Sequence, residues 1–106
     1  MRLVPVVIRP EPGRIVSLKA GDQTVAVANV DGEFFAFPDS CTHEECPLSE
    51  GELDGHVVIC DCHGGMFDIR TGEPVGGPVY VALRTFRVIR AGTDLNVAVD
   101  EHQSPP

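Results

Sequence analysis

Two short segments that contain cysteine and histidine place the strongest constraint on how this chain can fold. All four cysteines and two of the four histidines lie in residues 41–46 and 60–65. Sixteen residues separate His43 from Cys60, and each segment supplies both a cysteine and a histidine. Thiolate and imidazole groups delivered to one point by two loops are what a metal site requires. The fold is therefore expected to bring these two segments side by side.

The rest of the sequence has the pattern of a β protein. Short runs rich in Val, Ile, Leu and Phe are separated by turns that contain Gly or Pro. No window of about 11 residues shows helical periodicity. The runs predict strands at residues 3–8, 14–18, 24–30, 33–37, 57–59, 66–69, 83–89 and 94–99. We therefore predict an all-β fold, an antiparallel β-sandwich or small barrel.

Turn signals connect this β pattern to the two segments. Asp31-Gly32 and Asp54-Gly55 fall between runs, and Asp-Gly is a strong hairpin signal because both residues tolerate a positive φ. A strand pair turned at Asp54-Gly55 lies between the two segments, which allows both to emerge at one end of it. Residues 39–50 are polar, contain a proline and show no alternation. That segment must be held in place by something other than a strand ladder.

Length and hydropathy limit the organisation and the location of the chain. A chain of 106 residues is expected to form one domain, residues 1–99, with residues 100–106 as a flexible polar tail. No apolar run approaches the roughly 18 residues that span a bilayer. The first ten residues do not have the pattern of a secretory signal. We therefore expect a cytoplasmic protein that does not bind a membrane.

The charge of the chain excludes one class of partner and favours another. Eight Lys and Arg stand against sixteen Asp and Glu, which gives a formal net charge of −8. Nucleic-acid affinity depends on Lys and Arg that neutralise phosphates, so nucleic acid is not an expected partner. An acidic surface suits a protein partner that presents a basic one, because long-range attraction speeds their encounter.

The spacing of the two segments resembles that of the Rieske iron–sulfur proteins. The pattern is Cys41-x-His43, then sixteen residues, then Cys60-x-x-His63. Further matches are Pro47-Leu48-Ser49-Glu50-Gly51, His63-Gly64-Gly65-x-Phe67-Asp68, Gly72, and Gly77-Pro78 at the place of the family's third loop. The resemblance implies an antiparallel β fold in which the ligand loops lie at the tip of a cluster-binding subdomain, approximately residues 39–79.

This resemblance implies one Rieske [2Fe-2S] cluster per chain, held by two kinds of ligand. Cys41 and Cys60 would bind one iron as thiolates. His43 and His63 would bind the other iron as imidazoles, which raises the reduction potential above that of an all-cysteine cluster. The implied surroundings of the cluster are Gly64, Gly65, Phe67 and Pro78.

Two of these surrounding positions bear on the reduction potential. The high-potential members of the family carry a serine and a tyrosine where this chain has Gly65 and Phe67, and their hydroxyls donate hydrogen bonds to sulfur. Such hydrogen bonds stabilise the reduced, more negative state. We therefore expect a potential in the lower half of the Rieske range of about −150 to +300 mV.

The remaining cysteines, Cys46 and Cys62, match positions where cytochrome-bc-type Rieske proteins carry a disulfide that ties the two loops together. The resemblance thus implies a disulfide between Cys46 and Cys62. The alternative is a pair of buried thiols, since disulfides are rare in a reducing cytoplasm.

The function that the resemblance implies is one-electron transfer by a soluble Rieske-type ferredoxin. Such proteins carry electrons from a flavin-containing reductase to a multicomponent oxygenase, typically one that hydroxylates aromatic rings, and perform no bond-making chemistry themselves. A terminal oxygenase subunit needs a further mononuclear iron site, and only His56 and His102 remain to build one.

Three alternatives to this function stay open from the residues. A small Rieske subunit of a larger reductase, of the nitrite reductase type, fits the same motif. A structural zinc module also accepts two Cys and two His, and it would be colourless and redox-silent. A catalytic cysteine beside a histidine is the third alternative, although two equivalent Cys/His pairs are redundant for one nucleophile.

Other residues near the two segments have simpler expected roles. His56 is expected to be a solvated turn residue. One ring among Phe34, Phe35 and Phe37 is expected to pack beneath the first segment. The acidic residues Glu44, Glu45, Glu50 and Glu52 flank that segment as either a solvated surface or a docking face for a basic partner.

Overall fold

The regular structure of the chain consists of short antiparallel strands, as the all-β prediction requires. The computed structural model describes residues 2–21, 23–40, 46–61, 64–77 and 81–102. Within these ranges the strands are β1 (Leu3–Pro5), β2 (Ile15–Ala20), β3 (Gln23–Val30), β4 (Glu33–Pro38), β5 (Glu52–Asp54), β6 (Val57–Ile59), β7 (Met66–Asp68), β8 (Pro74–Gly76), β9 (Phe86–Ala91) and β10 (Asp94–His102). One 3-10 turn, Leu48–Glu50, accompanies them. The described residues contain no helix long and apolar enough to cross a lipid bilayer.

Six of the strands form the larger sheet, in the order β1-β10-β9-β4-β3-β2. All its neighbouring pairs are antiparallel. The β3–β4 hairpin turns at Asp31 and Gly32, whose φ values of 52° and 91° are both positive. A two-residue loop with two positive φ values matches the right-handed twist of the flanking strands. The hairpin predicted from Asp31-Gly32 is therefore confirmed.

The other four strands form a smaller sheet, β5-β6-β7-β8, which lies between β4 and β9 in the sequence. The predicted strand pair between the two Cys/His segments is β5 with β6. Its turn lies one residue later than predicted, at Gly55 and His56, because Asp54 still pairs with Val57. Strand β8 was not predicted, since its three residues include a proline and a glycine.

The smaller sheet and the larger one share an apolar core on which the site is built. Phe37 of β4, Leu48 of the 3-10 turn and Phe67 of β7 are completely buried in it. Phe34 lies with the second core, on the opposite face of the larger sheet. Phe37 is buried in the same cluster as Leu48, two residues after the first segment. Residues 41–45 lie outside the described residues, so the expectation that one of the three rings packs beneath that segment stays a prediction.

Three predicted strand ends move by three residues in the structure, and the other shifts are of one or two residues. The first strand stops at Pro5 instead of residue 8, and Val7 and Ile8 are highly exposed. The strand predicted from residue 83 begins at Phe86. Strand β10 continues to His102, so residues 100–102 of the predicted tail belong to the sheet, and residues 103–106 lie outside the described residues.

Candidate metal centre

The base of the first Cys/His segment is closed by a pair of hydrogen bonds. Both carboxylate oxygens of Asp39 accept hydrogen bonds from Ser49, one from its backbone N–H at 2.7 Å and one from its hydroxyl at 2.6 Å. The backbone N–H of Asp39 donates to the carbonyl of Thr24 at 3.0 Å. The residues that flank the segment are therefore joined to each other and to β3 of the larger sheet.

Backbone hydrogen bonds join the two ends of the second segment between β6 and β7. The Cys60 N–H donates to the carbonyl of Gly65 at 2.7 Å, and the Gly64 N–H donates to the carbonyl of Cys60 at 2.9 Å. Gly64 has a φ of 72°, which other residues rarely adopt. Cys60 is only 2% exposed and belongs to the same apolar core as Phe37 and Phe67.

Gly51 brings the two segments together. A Cβ atom at this position would stand 2.0 Å from the carbonyl oxygen of Ile59, far inside contact distance. Gly51 follows the first segment and the 3-10 turn, whereas Ile59 directly precedes Cys60. The backbone that follows the first segment, at Gly51, therefore contacts the backbone that precedes the second segment, at Ile59.

A second glycine contact joins the second segment to the chain that follows β8. A Cβ atom on Gly77 would lie 2.4 Å from the carbonyl oxygen of Gly64 and 2.8 Å from the Cα of Gly65. Gly77 also has a φ of 74°. The connection from β8 to β9 thus begins directly on the second segment. Near its other end, the Leu83 N–H donates a hydrogen bond of 2.7 Å to the carbonyl of Gly72.

The turn after β7 is held by an ion pair. The carboxylate of Asp68 accepts hydrogen bonds from the backbone N–H of Arg70 at 2.9 Å and from its guanidinium at 2.8 and 3.1 Å. The side-chain hydrogen bonds from Arg70 hold the pKa of Asp68 below its ordinary value. The same pair raises the pKa of Arg70. Arg70 therefore stays charged and paired with Asp68.

The predicted site residues divide into those that the structure describes and those that lie outside it. Among the four predicted ligands, Cys60 is described, and Cys41, His43 and His63 lie outside the described residues. Of the predicted surroundings, Gly64, Gly65 and Phe67 are described, and Pro78 is not. Cys46 is half-buried against the apolar core and is disulfide-bonded.

The described part of the site suits a metal cluster bound by sulfur and imidazole. The Cys60 thiol is shielded from water, as a coordinating thiolate in a redox centre needs to be. A Cβ atom on Gly64 would meet no described atom within 4 Å, whereas one on Gly77 would collide with the backbone of Gly64 and Gly65. The disulfide-bonded Cys46 and its expected partner are not available as ligands. The two segments then supply two Cys and two His, which is the ligand set of a Rieske centre.

Comparison with known sequences decides the family. Residues 7–87 match the Rieske [2Fe-2S] domain, which covers well over half of the chain. The chain belongs to the Rieske family. Its cofactor is accordingly a Rieske [2Fe-2S] cluster.

Individual relatives of this Rieske chain are ferredoxins of oxygenase systems. It is 42% identical over 89 residues to the ferredoxin component of biphenyl 2,3-dioxygenase from Rhodococcus jostii, covering 84% of this chain and 83% of the relative. It is 45% identical over 87 residues to the biphenyl dioxygenase ferredoxin subunit of a Pseudomonas species, covering 81% and 80%. A chain in the solved complex of reduced oxygenase and oxidized ferredoxin of carbazole 1,9a-dioxygenase has a TM-score of 0.80 and 40% identity, covering 83% of this chain and 82% of that one.

Several residues that shape this Rieske site were not singled out from the sequence. Asp39 was placed only in an irregular polar segment, and its bonds to Ser49 leave no periodic signal. Ser49 and Gly51 lay inside a matched motif without an assigned role. His56 lies in a turn, as predicted, but it is half-buried and meets Phe35 edge-on, with ring centroids 5.5 Å apart, so it is only partly solvated.

Proposed function

We propose that this Rieske protein is the ferredoxin component of a multicomponent dioxygenase system that acts on aromatic hydrocarbons. In this role it accepts one electron from a flavin-dependent reductase and delivers it to the terminal oxygenase. The observation that carries the proposal is alignment with ferredoxin components over about four-fifths of both chains at more than 40% identity. The chain itself makes and breaks no bond in the substrate, and we propose that it works in the cytoplasm.

Cys41 and Cys60 are proposed as the thiolate ligands of one iron, and His43 and His63 as the imidazole ligands of the other. The cluster supplies a one-electron couple whose potential is raised by imidazole ligation. The burial of Cys60 and the backbone contact of Gly51 with Ile59 support this assignment. The first observation shields one proposed ligand from water, and the second brings the chain after the first segment against the residue that precedes Cys60.

We further propose that Cys46 pairs with Cys62 to form a bridge between the two segments. The disulfide at Cys46 and its packing against the core that contains Cys60 support the pairing. Structural disulfides typically have reduction potentials below about −300 mV, which makes them resistant to reduction by the glutathione pool. Peptide mapping of the unreduced, denatured protein tests this directly, and a map in which Cys46 and Cys62 are both alkylated would contradict it.

The negative charge of the chain is proposed to form the docking face for both partners. Nine of the sixteen Asp and Glu, but only one of the eight Lys and Arg, lie in residues 39–79. The remainder of the chain has seven of each, so the whole net charge of −8 belongs to the proposed cluster-binding subdomain. A basic partner surface would therefore be steered toward the end of the molecule that carries the cluster.

Reconstitution with a reductase and an oxygenase tests the proposed function. The reduced protein is mixed with the oxygenase without oxygen, and reoxidation is followed by visible absorption. In this anaerobic mixture we expect reoxidation of the protein by the oxygenase. In a separate assay that contains oxygen and the reductase, we expect product formation that stops when this protein is omitted. Wild-type protein that binds a cluster but transfers no electron to any such oxygenase would contradict the proposal.

The docking face is tested by salt and by paired charge variants. Between about 0.01 and 0.15 M salt the Debye length falls from about 30 to about 8 Å. Because the attraction between the two proteins is then screened, the rate constant for reduction of this protein by the reductase should fall. Replacing exposed Glu50 and Glu52 by Gln should slow reduction at low salt. The matched change of exposed Glu11 to Gln and Asp94 to Asn, outside residues 39–79, should not. Equal effects of both pairs would remove the docking face from the account.

A further inference from the structure

Asp39 and Ser49 flank the first Cys/His segment, two residues before it and three residues after it. They are ten residues apart and enclose the stretch that carries Cys41 and His43. Both oxygens of one carboxylate are used on this single partner, at 2.7 and 2.6 Å. Hydrogen bonds to an ionised acceptor are about twice as strong as those between neutral groups. We call this pair of hydrogen bonds the clasp.

The clasp is anchored on both sides by the body of the protein. On one side, the Asp39 N–H donates to Thr24 of β3 at 3.0 Å. On the other side, Ser49 follows Leu48, which is completely buried, and the Gly51 N–H donates to the carbonyl of Leu48 at 3.0 Å. The chain then reaches Gly51 and its contact with Ile59. A continuous set of contacts thus runs from the larger sheet through the clasp to the residue before Cys60.

The clasp does not serve as an ordinary helix cap. The 3-10 turn is only three residues long, and its N-cap residue, Pro47, makes no side-chain capping bond. The hydrogen bonds of Asp39 reach the middle residue of that turn, so they fix the turn as a unit against the start of the segment. Their effect is to fix the distance between Asp39 and Ser49, the residues that flank the segment.

We propose that Asp39 and Ser49 are positioning residues of the metal centre. By closing the base of the first segment they set where Cys41 and His43 stand relative to Cys60 and His63, without contacting the cluster themselves. This inference rests on the proposed ligand set. Residues outside the ligands that orient a metal site typically change its metal affinity about 10–100-fold when they are replaced.

Three variants separate positioning from charge. Asp39→Ala removes both hydrogen bonds and the negative charge. Asp39→Asn removes the charge, but its amide still accepts from the Ser49 N–H and donates to the Ser49 hydroxyl. Ser49→Ala keeps the charge and the backbone bond and removes only the bond to the hydroxyl. The comparison of Asp39→Ala with Asp39→Asn is therefore made at equal charge.

The primary measurement is the rate at which each holoprotein loses its visible absorption in excess chelator at 25 °C. We expect Asp39→Ala to lose the cluster about 10–100-fold faster than Asp39→Asn, and Ser49→Ala to be intermediate. The electron paramagnetic resonance spectrum and the midpoint potential of Asp39→Ala should also differ from those of Asp39→Asn. A general loss of stability would not produce that difference.

Asn29→Ala is the matched control for stability. Asn29 is buried on the same strand as Thr24 and also makes two hydrogen bonds, to the carbonyl of Pro10 and from the N–H of Gly32. It lies at the opposite end of β3 from the clasp. Its replacement should lower the unfolding temperature but leave the rate of cluster loss at 25 °C and the resonance spectrum unchanged.

The outcomes distinguish this inference from the proposed function. If the wild type binds no iron, the ligand set fails. If the wild type has a Rieske spectrum and Asp39→Ala loses its cluster no faster than Asp39→Asn, the positioning role fails and the function stands. If Asp39→Ala does not fold, Ser49→Ala decides, with faster loss than the wild type in support and an unchanged rate against.

Discussion

Replacement of Gly51 by alanine tests the contact that brings the two Cys/His segments together. The new methyl group would stand 2.0 Å from the carbonyl oxygen of Ile59. Carbon and oxygen in close contact are about 3.3 Å apart, so one backbone must move by about 1.3 Å. Gly51 has a φ of −83°, which alanine adopts freely, so the whole effect comes from this displacement. The chain that must move is adjacent to Cys60.

Two results should follow from this displacement. Overpacking of this kind lowers the free energy of unfolding by about 1–3 kcal/mol. In a domain of this size that corresponds to a fall in unfolding temperature of about 5–15 °C. Metal–ligand distances tolerate deviations of only about 0.2 Å, so the iron content of the purified variant should fall as well.

Thermal unfolding by circular dichroism and iron analysis of the purified variant measure both effects. Gly32→Ala serves as the control. Its Cβ meets no atom within 4 Å, although its φ is 91°, so it carries backbone strain alone. It should lose about 1–2 kcal/mol of stability and keep its full iron content. A Gly51→Ala protein with the iron content and unfolding temperature of the wild type would refute the reasoning.

Three further predictions follow from single residues. Gly72→Ala would place a Cβ atom 1.8 Å from the Leu83 carbonyl at a φ of 84°, so it should lower the unfolding temperature more than Gly32→Ala. The lowered pKa of Asp68 contributes stability above its unfolded value of about 3.9, which is lost as pH falls through the folded value. Asp68→Asn should therefore flatten the fall in stability below about pH 4, and an unchanged acid limb would contradict this. Because Gly65 and Phe67 carry no hydroxyl, a redox titration should give a midpoint potential in the lower half of the range from about −150 to +300 mV, not near its top.

The sequence was sufficient for the fold where local chemistry determines the backbone. Asp31-Gly32 predicted a tight hairpin because few other residue pairs accept positive φ at both positions. Residues 83–85 have the composition of a strand, yet Leu83 bonds to the turn at Gly72 instead of a neighbouring strand. Strand propensity reports how well a side chain fits a half-buried sheet and does not reveal which backbone it will meet.

The site shows the same division. The spacing of cysteines and histidines indicated the two segments that we propose hold the cluster, because metal ligation restricts both residue type and spacing. The clasp between Asp39 and Ser49 was not predictable, since a hydrogen bond between polar residues ten apart in an irregular segment leaves no periodic pattern. The close approach of Gly51 to Ile59 was equally hidden, because it depends on how β6 returns past the 3-10 turn.

Pulsed electron paramagnetic resonance of the reduced protein tests the central claim most directly. Two imidazole ligands on one iron should give two sets of nitrogen couplings in the spectrum of a reduced [2Fe-2S] cluster. Replacement of either His43 or His63 should abolish that two-nitrogen pattern. A colourless protein that contains zinc, or a reduced cluster without nitrogen couplings from imidazole, would contradict the assignment of this chain as a Rieske electron carrier.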